Sequence, residues 1–253
     1  MSLWWQEFFD HEYLKLWSHL YPATQCESDA LRLRTILGLT SGDRLFDAAC
    51  GYGRMSLPFA KLGLSVLGVD YSSDLLARAN ADAAECKEAI DLVYQEADLR
   101  TLELEARFDA AVSLFSSLGY GSEDDDLQTL QTIANALVPG GQFFLETVHR
   151  DAIVTRRALG QTTGIRGPNG LTLREKNSFD PVRGEIHSTW SWNSPTYSGS
   201  KHSVIRIYSA SELVSLLTRA GFVEIRCYCG FSDRPFDETS LDERLGILCT
   251  KAA

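Results

Sequence analysis

The sequence predicts an α/β chain: a doubly wound, mostly parallel sheet of seven strands, with helices ahead of it and a small antiparallel β lobe inserted before its last helix. Three observations carry this. Between residues 44 and 148, short apolar runs alternate with stretches of helical periodicity, the pattern of strands joined by crossover helices. Between 171 and 208, strand-like runs follow one another across turns with no helix between them, which reads as antiparallel pairing. At Leu45-Phe-Asp-Ala-Ala-Cys-Gly-Tyr-Gly-Arg54, an apolar strand runs into a turn of small residues at the head of a helix.

In chain order, Trp5, Phe9, Tyr13 and Trp17 recur at helical spacing in an aromatic first segment, and a second helix spans 28–37, closed by Gly38. Strand 44–48 leads to helix 54–62. Strand 65–69 leads to helix 73–84, capped by Ser72 or Ser73. Strand 92–95 and strand 108–114 follow, then helix 125–137, the turn Pro139-Gly-Gly141 and strand 142–148. The lobe strands are expected at 171–178, 182–193 and 202–208, broken at Asp180-Pro181 and Asn193-Ser-Pro195. Helix 210–220 ends at Gly221, and strands 222–228 and 246–250 finish the sheet. The expected organisation is a helical lid at 1–38, a nucleotide-binding type of core at 39–151, the β lobe as a cover at 152–208, and completion of the core at 209–253.

With 253 residues and 44% hydrophobic content, the chain can bury one large core with a sub-lobe. No apolar run approaches the roughly 20 residues of a membrane span, and the first residues lack the basic and apolar regions of a signal peptide. Net charge is −10 with no dense Lys/Arg block, which argues against nucleic acid as a partner. Six scattered cysteines, at 26, 50, 86, 227, 229 and 249, fit reduced thiols and a cytoplasmic location. The run Glu123-Asp-Asp-Asp126 falls at a helix start, where acids complement the dipole, and reads as a solvated cap with no metal role.

The chemistry is concentrated at the strand ends. The 45–54 turn ends its strand in Asp47, and about twenty residues on a second strand ends in Asp70. Such a turn lets backbone approach a ligand, and the second acid is placed to accept from ribose hydroxyls. A dinucleotide site reads G-x-G-x-x-G and holds pyrophosphate on a helix N-terminus. Here the order is D-x-A-x-G-x-G, and Asp47 would repel a pyrophosphate. It favours a ligand carrying an ammonium or sulfonium cation. An NAD-dependent oxidoreductase is therefore the weaker reading.

This turn resembles motif I of the class I S-adenosylmethionine-dependent methyltransferases. Gly68-Val-Asp-Tyr-Ser72, Ala97-Asp-Leu-Arg100, Ser113-Leu-Phe-Ser-Ser-Leu-Gly-Tyr120, Leu137-Val-Pro-Gly-Gly141 and Ala220-Gly-Phe222 follow in the family's order, so the likeness to bacterial small-molecule members covers nearly the whole chain. One departure is Ala49, where the family's motif has its first glycine. Alanine disfavours positive φ, so Ala49 is expected at φ below zero. The resemblance implies a Rossmann-like core with S-adenosylmethionine as cofactor. Asp47 would organise its methionine end, and Gly51 and Gly53 would let the backbone pass close by, with Arg54 heading the helix. Asp70 would take the ribose hydroxyls, Tyr71 would pack on the adenine, and Asp98 with the Leu99 amide would meet the adenine edge. Leu114 would lie beneath the methionine, and Tyr13 would reach in from the lid.

Methyl transfer from a sulfonium to a small-molecule acceptor is an in-line displacement in which positioning does most of the work. An oxygen acceptor wants a base. His149, just past the fifth strand, is the candidate, since strand ends carry the site in such sheets and imidazole titrates near neutrality. Tyr120 is a candidate for holding the acceptor, and Arg206 for holding an anionic one. A protein that binds S-adenosylmethionine without transferring its methyl, as a sensor or partner subunit, would show the same binding residues. Monomer and dimer are both open.

Overall fold

A computed structural model describes residues 3–155, 162–240 and 243–253. Two sheets organise it. The larger has seven strands in the order β10-β11-β5-β4-β1-β2-β3 and the smaller four in the order β6-β7-β8-β9. The large sheet comprises β1 (Arg44–Ala48), β2 (Ser65–Asp70), β3 (Asp91–Glu96), β4 (Phe108–Ser113), β5 (Leu137–Thr147), β10 (Phe222–Cys229) and β11 (Leu245–Lys251). The first five are parallel, and β11 enters antiparallel to β5 with β10 beside it. Strand order reverses at β1, which lies between β4 and β2. In open α/β sheets that switch point opens a crevice beyond the strand C-termini.

The helices are α1 (Trp4–Phe8), α2 (His11–Trp17), α3 (Ala23–Ile36), α4 (Ser56–Lys61), α5 (Ser73–Ala84), α6 (Glu123–Ala136), α7 (Arg150–Thr155) and α8 (Ala210–Arg219). Alternation along the strands divides the core between the sheet's two faces. Phe46 and Ala48 of β1 join Ile133 of α6 and Leu216 of α8 on one face. Leu45 joins Leu33 of α3 and Phe59 of α4 on the other.

The aromatic first segment is two helices where its spacing suggests one. Asp10 breaks it, because its carboxylate accepts from the Tyr13 amide and caps α2. Helix α3 starts five residues ahead of the expected boundary, with Pro22 at its N-cap supplying φ −60°. The cap of α5 is Ser72, which accepts from the Leu75 amide.

The small sheet comprises β6 (Thr162–Arg166), β7 (Thr172–Asp180), β8 (Glu185–Asn193) and β9 (Ser198–Arg206), all antiparallel. The sequence reading has no counterpart to β6. The β7–β8 turn is tied by Asp180, whose carboxylate accepts from the Val182 and Arg183 amides. Leu173 and Trp192 pack against Phe8, Leu16 and Trp17, so the lobe and the first two helices share a core of their own. Lys201 of β9 fastens them: its Nζ donates to the Glu7 and Phe8 carbonyls at 3.1 and 2.8 Å and pairs with Asp10 at 2.8 Å. Among the described residues, no helix is long and apolar enough to cross a membrane.

Candidate active site

A cavity of about 180 Å³ opens at the switch point. Its floor is the C-terminal edge of the parallel strands, and three of its carboxylates follow the strands in spatial order, Asp47 from β1, Asp70 from β2 and Asp98 just after β3, with Asp125 and Asp126 of α6 also in its lining. The turn after β1 packs three positive φ angles into five residues, +62° at Ala49, +57° at Gly51 and +74° at Gly53. Ala49 therefore departs from expectation. The chain must reverse directly after β1 while the Cys50 amide still donates to the Val69 carbonyl at 3.0 Å, and this holds alanine in the left-handed region at a cost of about 1–2 kcal/mol.

The two glycines serve different neighbours. Gly51 lines the cavity, and a Cβ added there would meet nothing nearer than Leu75 Cδ1 at 3.9 Å, so space for a ligand lies over its backbone. Gly53 does not line the cavity. A Cβ there would fall 2.1 Å from the Tyr94 hydroxyl, so this glycine makes room for a buried tyrosine under the turn rather than for the ligand.

Asp47 is 2% exposed and accepts from the Ser56 hydroxyl at 2.5 Å. Burial, reinforced by the charge of Asp70, pushes its pKa up to about 6. Asp70 accepts from the Gly51 amide at 2.8 Å and the Ser72 amide at 2.9 Å; burial raises its pKa against those bonds. Two carboxylates desolvated side by side favour a ligand that brings positive charge and hydroxyl donors. Asp98 is held ionised by a two-point pair with Arg100, Nε to Oδ1 at 2.9 Å and Nη2 to Oδ2 at 2.6 Å.

Arg54 sits across the cavity from these acids, with its guanidinium carbon 3.6 Å from the Phe115 ring centre and 4.0 Å from that of Tyr21. No carboxylate pairs with it among the described residues. Tyr13, Tyr71, Leu99 and Leu114 also line this space; Tyr71 additionally accepts from Gln6 and its ring meets Trp5 edge-on. The residues thus match the chemical faces of S-adenosylmethionine: acids for its cation and diol, a guanidinium with no carboxylate partner for its carboxylate, and open backbone between.

A second cavity of about 480 Å³ lies between the end of the large sheet, the inner face of the small sheet and the first two helices. Phe9, Tyr13, Phe115 and Tyr120 border both cavities. Phe115 and Ser116 follow β4 with φ of +63° and +69°, a strained pair at the junction. Glu146 holds them, accepting from the Phe115 amide at 2.8 Å while paired with Arg244, whose Nη2 also reaches Ser116 Oγ at 2.9 Å. Sequence reasoning missed Glu146 and Arg244, which lie 98 residues apart. The hint was a carboxylate inside an otherwise apolar strand end.

Of the three candidates for the chemistry, the structure brings only Tyr120 to the junction, where its hydroxyl donates to the Ser116 carbonyl at 2.8 Å. His149 is fully buried and lines neither cavity. Its Nε2 lies 3.0 Å from the Glu243 carbonyl and its ring packs edge-on against Phe236, so the segment after β10 covers the imidazole. The geometry therefore gives no support to a base role. Arg206 borders the second cavity but is committed to Glu123 at 3.0 Å, which weakens it as an anion clamp. The acidic run at 123–126 is likewise more than a solvated cap. Asp126 is buried, accepts from the Gly119 amide at 2.9 Å and the Tyr208 hydroxyl at 2.6 Å, and burial pushes its pKa up to about 6.

Residues 45–141 match the model of a methyltransferase domain. An uncharacterized protein of Mycobacterium tuberculosis (strain ATCC 25618 / H37Rv) is 33% identical over 105 residues, 41% of this chain and 36% of its own. A dTDP-3-amino-3,4,6-trideoxy-alpha-D-glucopyranose N,N-dimethyltransferase of Streptomyces venezuelae is 32% identical over 120 residues, 47% of this chain and 46% of its own. The chain thus spans between a third and a half of the length of these curated relatives. Among solved structures, the CcbJ methyltransferase from Streptomyces caelestis superposes with a TM-score of 0.78 at 22% identity, covering 92% of this chain and 91% of that one.

Proposed function

We propose, for a chain that belongs to the class I S-adenosylmethionine-dependent methyltransferases, that it transfers a methyl group to a small-molecule acceptor held in the second cavity. The observation that carries this reading is the junction. One cavity is lined by Asp47, Asp70 and Asp98 at successive strand ends, a larger one is closed by aromatic helices and the small sheet, and four aromatic residues form their common border. The Streptomyces venezuelae relative, named for a nucleotide-linked amino sugar, is consistent with a small acceptor.

S-adenosylmethionine supplies, when bound, a methyl on a cationic sulfur already activated for in-line displacement. In this reading Asp70 accepts from the ribose hydroxyls and Asp98 with the Leu99 amide faces the adenine. Arg54 would hold the cofactor carboxylate and Asp47 its ammonium, a partner that would favour the ionised form of Asp47. Leu114 and Phe115 would wall the end of the cofactor site nearest the junction, and Tyr120 shapes the passage. Water is excluded by the aromatic lid that Lys201 fastens. Among the described residues no side chain at the junction is placed as a strong base, so the reading favours an acceptor that is nucleophilic once it has lost a proton to solvent.

Calorimetric titration with S-adenosylmethionine and S-adenosylhomocysteine, with NAD as control, tests this directly. The expected result is saturable binding of the first two, weakened about 100-fold in Asp70→Ala, which loses two charge-assisted bonds. Binding of NAD alone, or of nothing, rejects the reading. Because Asp70 also anchors Gly51 and Ser72, the melting temperature of the variant must be recorded beside its affinity. Transfer of a labelled methyl to any acceptor then separates a transferase from a protein that only binds the cofactor.

A further inference from the structure

The inner face of the small sheet meets an aromatic wall, and by default it would be apolar. It is not. By register, Asn177, Ser188 and Ser203 form a polar row across three strands, with Glu175 in the next row opposite Trp190. All five border the second cavity. Glu175 accepts from the Ser188 hydroxyl at 2.9 Å and is also met by the Asn177 side-chain amide, while Asn177 Oδ1 is buried with no hydrogen-bond partner. A carboxylate and an amide oxygen, both acceptors, thus face the cavity, and the two neutral donors beside them, the Ser188 hydroxyl and the Asn177 amide, bring the carboxylate no positive charge. Unpaired buried acceptors cost free energy unless a ligand brings donors.

The charges of the cavity sharpen this. Its arginines are spent, Arg206 on Glu123 and Arg244 on Glu146. Lys201, in the Glu175 row but two strands away, is held by Asp10 and the end of α1. Among the described residues no cation pairs with Glu175, and burial holds its carboxyl above the usual range. The remaining walls include Trp4, Phe8, Trp17 and Trp190, rings whose faces attract cations.

We propose that the second cavity selects an acceptor bearing an amine, protonated in solution, with its ammonium against Glu175 and Asn177 and an apolar or ring-shaped body between the aromatic walls. An ammonium brings three donors and the missing charge; a carboxylate or phosphate is turned away. This rests on the reading of that cavity as the acceptor's place and concerns recognition, not the atom methylated.

Three probes sharing one body test it: benzylamine, benzyl alcohol and benzoate, titrated by tryptophan fluorescence into protein saturated with S-adenosylhomocysteine. The amine should bind about tenfold more tightly than the alcohol, with benzoate weakest, as expected for one charge-assisted contact. In Glu175→Gln, which keeps the Ser188 bond, amine affinity should fall to that of the alcohol while S-adenosylhomocysteine affinity stays unchanged. Equal binding of amine and alcohol, preference for benzoate, saturable binding of none of the three, or an amine preference that survives Glu175→Gln overturns the proposal. If S-adenosylhomocysteine binds normally and the amine preference is absent, this inference alone falls. If the preference holds in protein that binds no S-adenosylhomocysteine, the cofactor reading falls instead.

Discussion

The two cavities that meet at Tyr120 are built in opposite ways. The inner one is made by backbone: a turn of left-handed residues, amides spoken for by Asp70, and acids one strand end apart. Its parts lie within short stretches of sequence. The outer one is made by side chains from elements far apart in the chain: aromatic residues before position 20, the loop after β4, and strands after position 170. The first is fixed by the sheet and the second by how a separate lobe docks on it. A scaffold of the first kind can keep one ligand while the second kind changes, so under the proposed function the inner cavity serves the cofactor and the outer one the acceptor.

That contrast is most severely tested at Gly53. If the turn is shaped by what lies beneath it, Gly53→Ala should cost about 3 kcal/mol, through a Cβ driven onto the Tyr94 hydroxyl and a left-handed φ of +74°. Adding Tyr94→Phe, which deletes the atom struck, should recover a measurable part of it in urea melts. No recovery would mean that φ alone demands glycine. The next largest effect belongs to Asp47. Its carboxyl titrates near 3.8 unfolded and at about 6 folded, so the folded state holds the proton more tightly. Ionised Asp47 therefore weakens the fold above pH 6, and the penalty fades as pH falls through 6 and is gone below about 4. Asp47→Asn should be more stable than the parent at pH 7 by on the order of 2 kcal/mol and match it near pH 4, while binding S-adenosylmethionine less tightly. Equal stability at both pH values would show that Asp47 is not desolvated.

How much of this was legible follows the same division. The α/β alternation, the strand ends at Asp47 and Asp70 and the insertion of an antiparallel lobe all rest on local periodicity and turn chemistry, and the structure has them. Ala49 shows the limit even there: alanine's preference is a weak local term, and the demand of strand β1 for an immediate reversal overrides it. His149 looked like a base from its position past a strand end, but only the packing of Phe236 and residue 243 against it reveals a buried ring. Glu175 drew no notice because a carboxylate alternating along a strand reads as solvent-facing, and only the packing of the first two helices on the small sheet turns that face inward. The Glu146–Arg244 pair and the Lys201 clamp join residues roughly a hundred or more positions apart, a distance across which sequence pattern carries no signal.

The clamp offers a smaller and more selective perturbation. Lys201→Met keeps the length of the side chain but removes its bonds to the C-terminal carbonyls of α1 and its pair with Asp10. A loss of about 1–2 kcal/mol is expected, confined to the outer region. Amide hydrogen exchange should accelerate across 4–17 and leave β1 and β4 unchanged. Acceleration throughout would show that the first two helices and the large sheet unfold as one unit, and that the two cavities are less independent than their construction suggests.

The smallest effect expected is at Arg206. Its pair with Glu123 is partly exposed on both sides, 33% and 40%, and Glu123 keeps a second partner in Arg219 at 2.7 Å. Such pairs contribute under about 1 kcal/mol, so Arg206→Ala should shift stability little. Its effect on the acceptor is the sharper question. Were Arg206 an anion clamp, its removal would weaken benzoate more than benzylamine. With the guanidinium committed to Glu123, removal instead leaves Glu123 one cation short near the rim, so amine binding should hold or tighten slightly while benzoate stays the weakest of the three and loses nothing selectively. A selective loss of benzoate binding in Arg206→Ala would return the outer cavity to anionic acceptors and leave the inner cavity untouched.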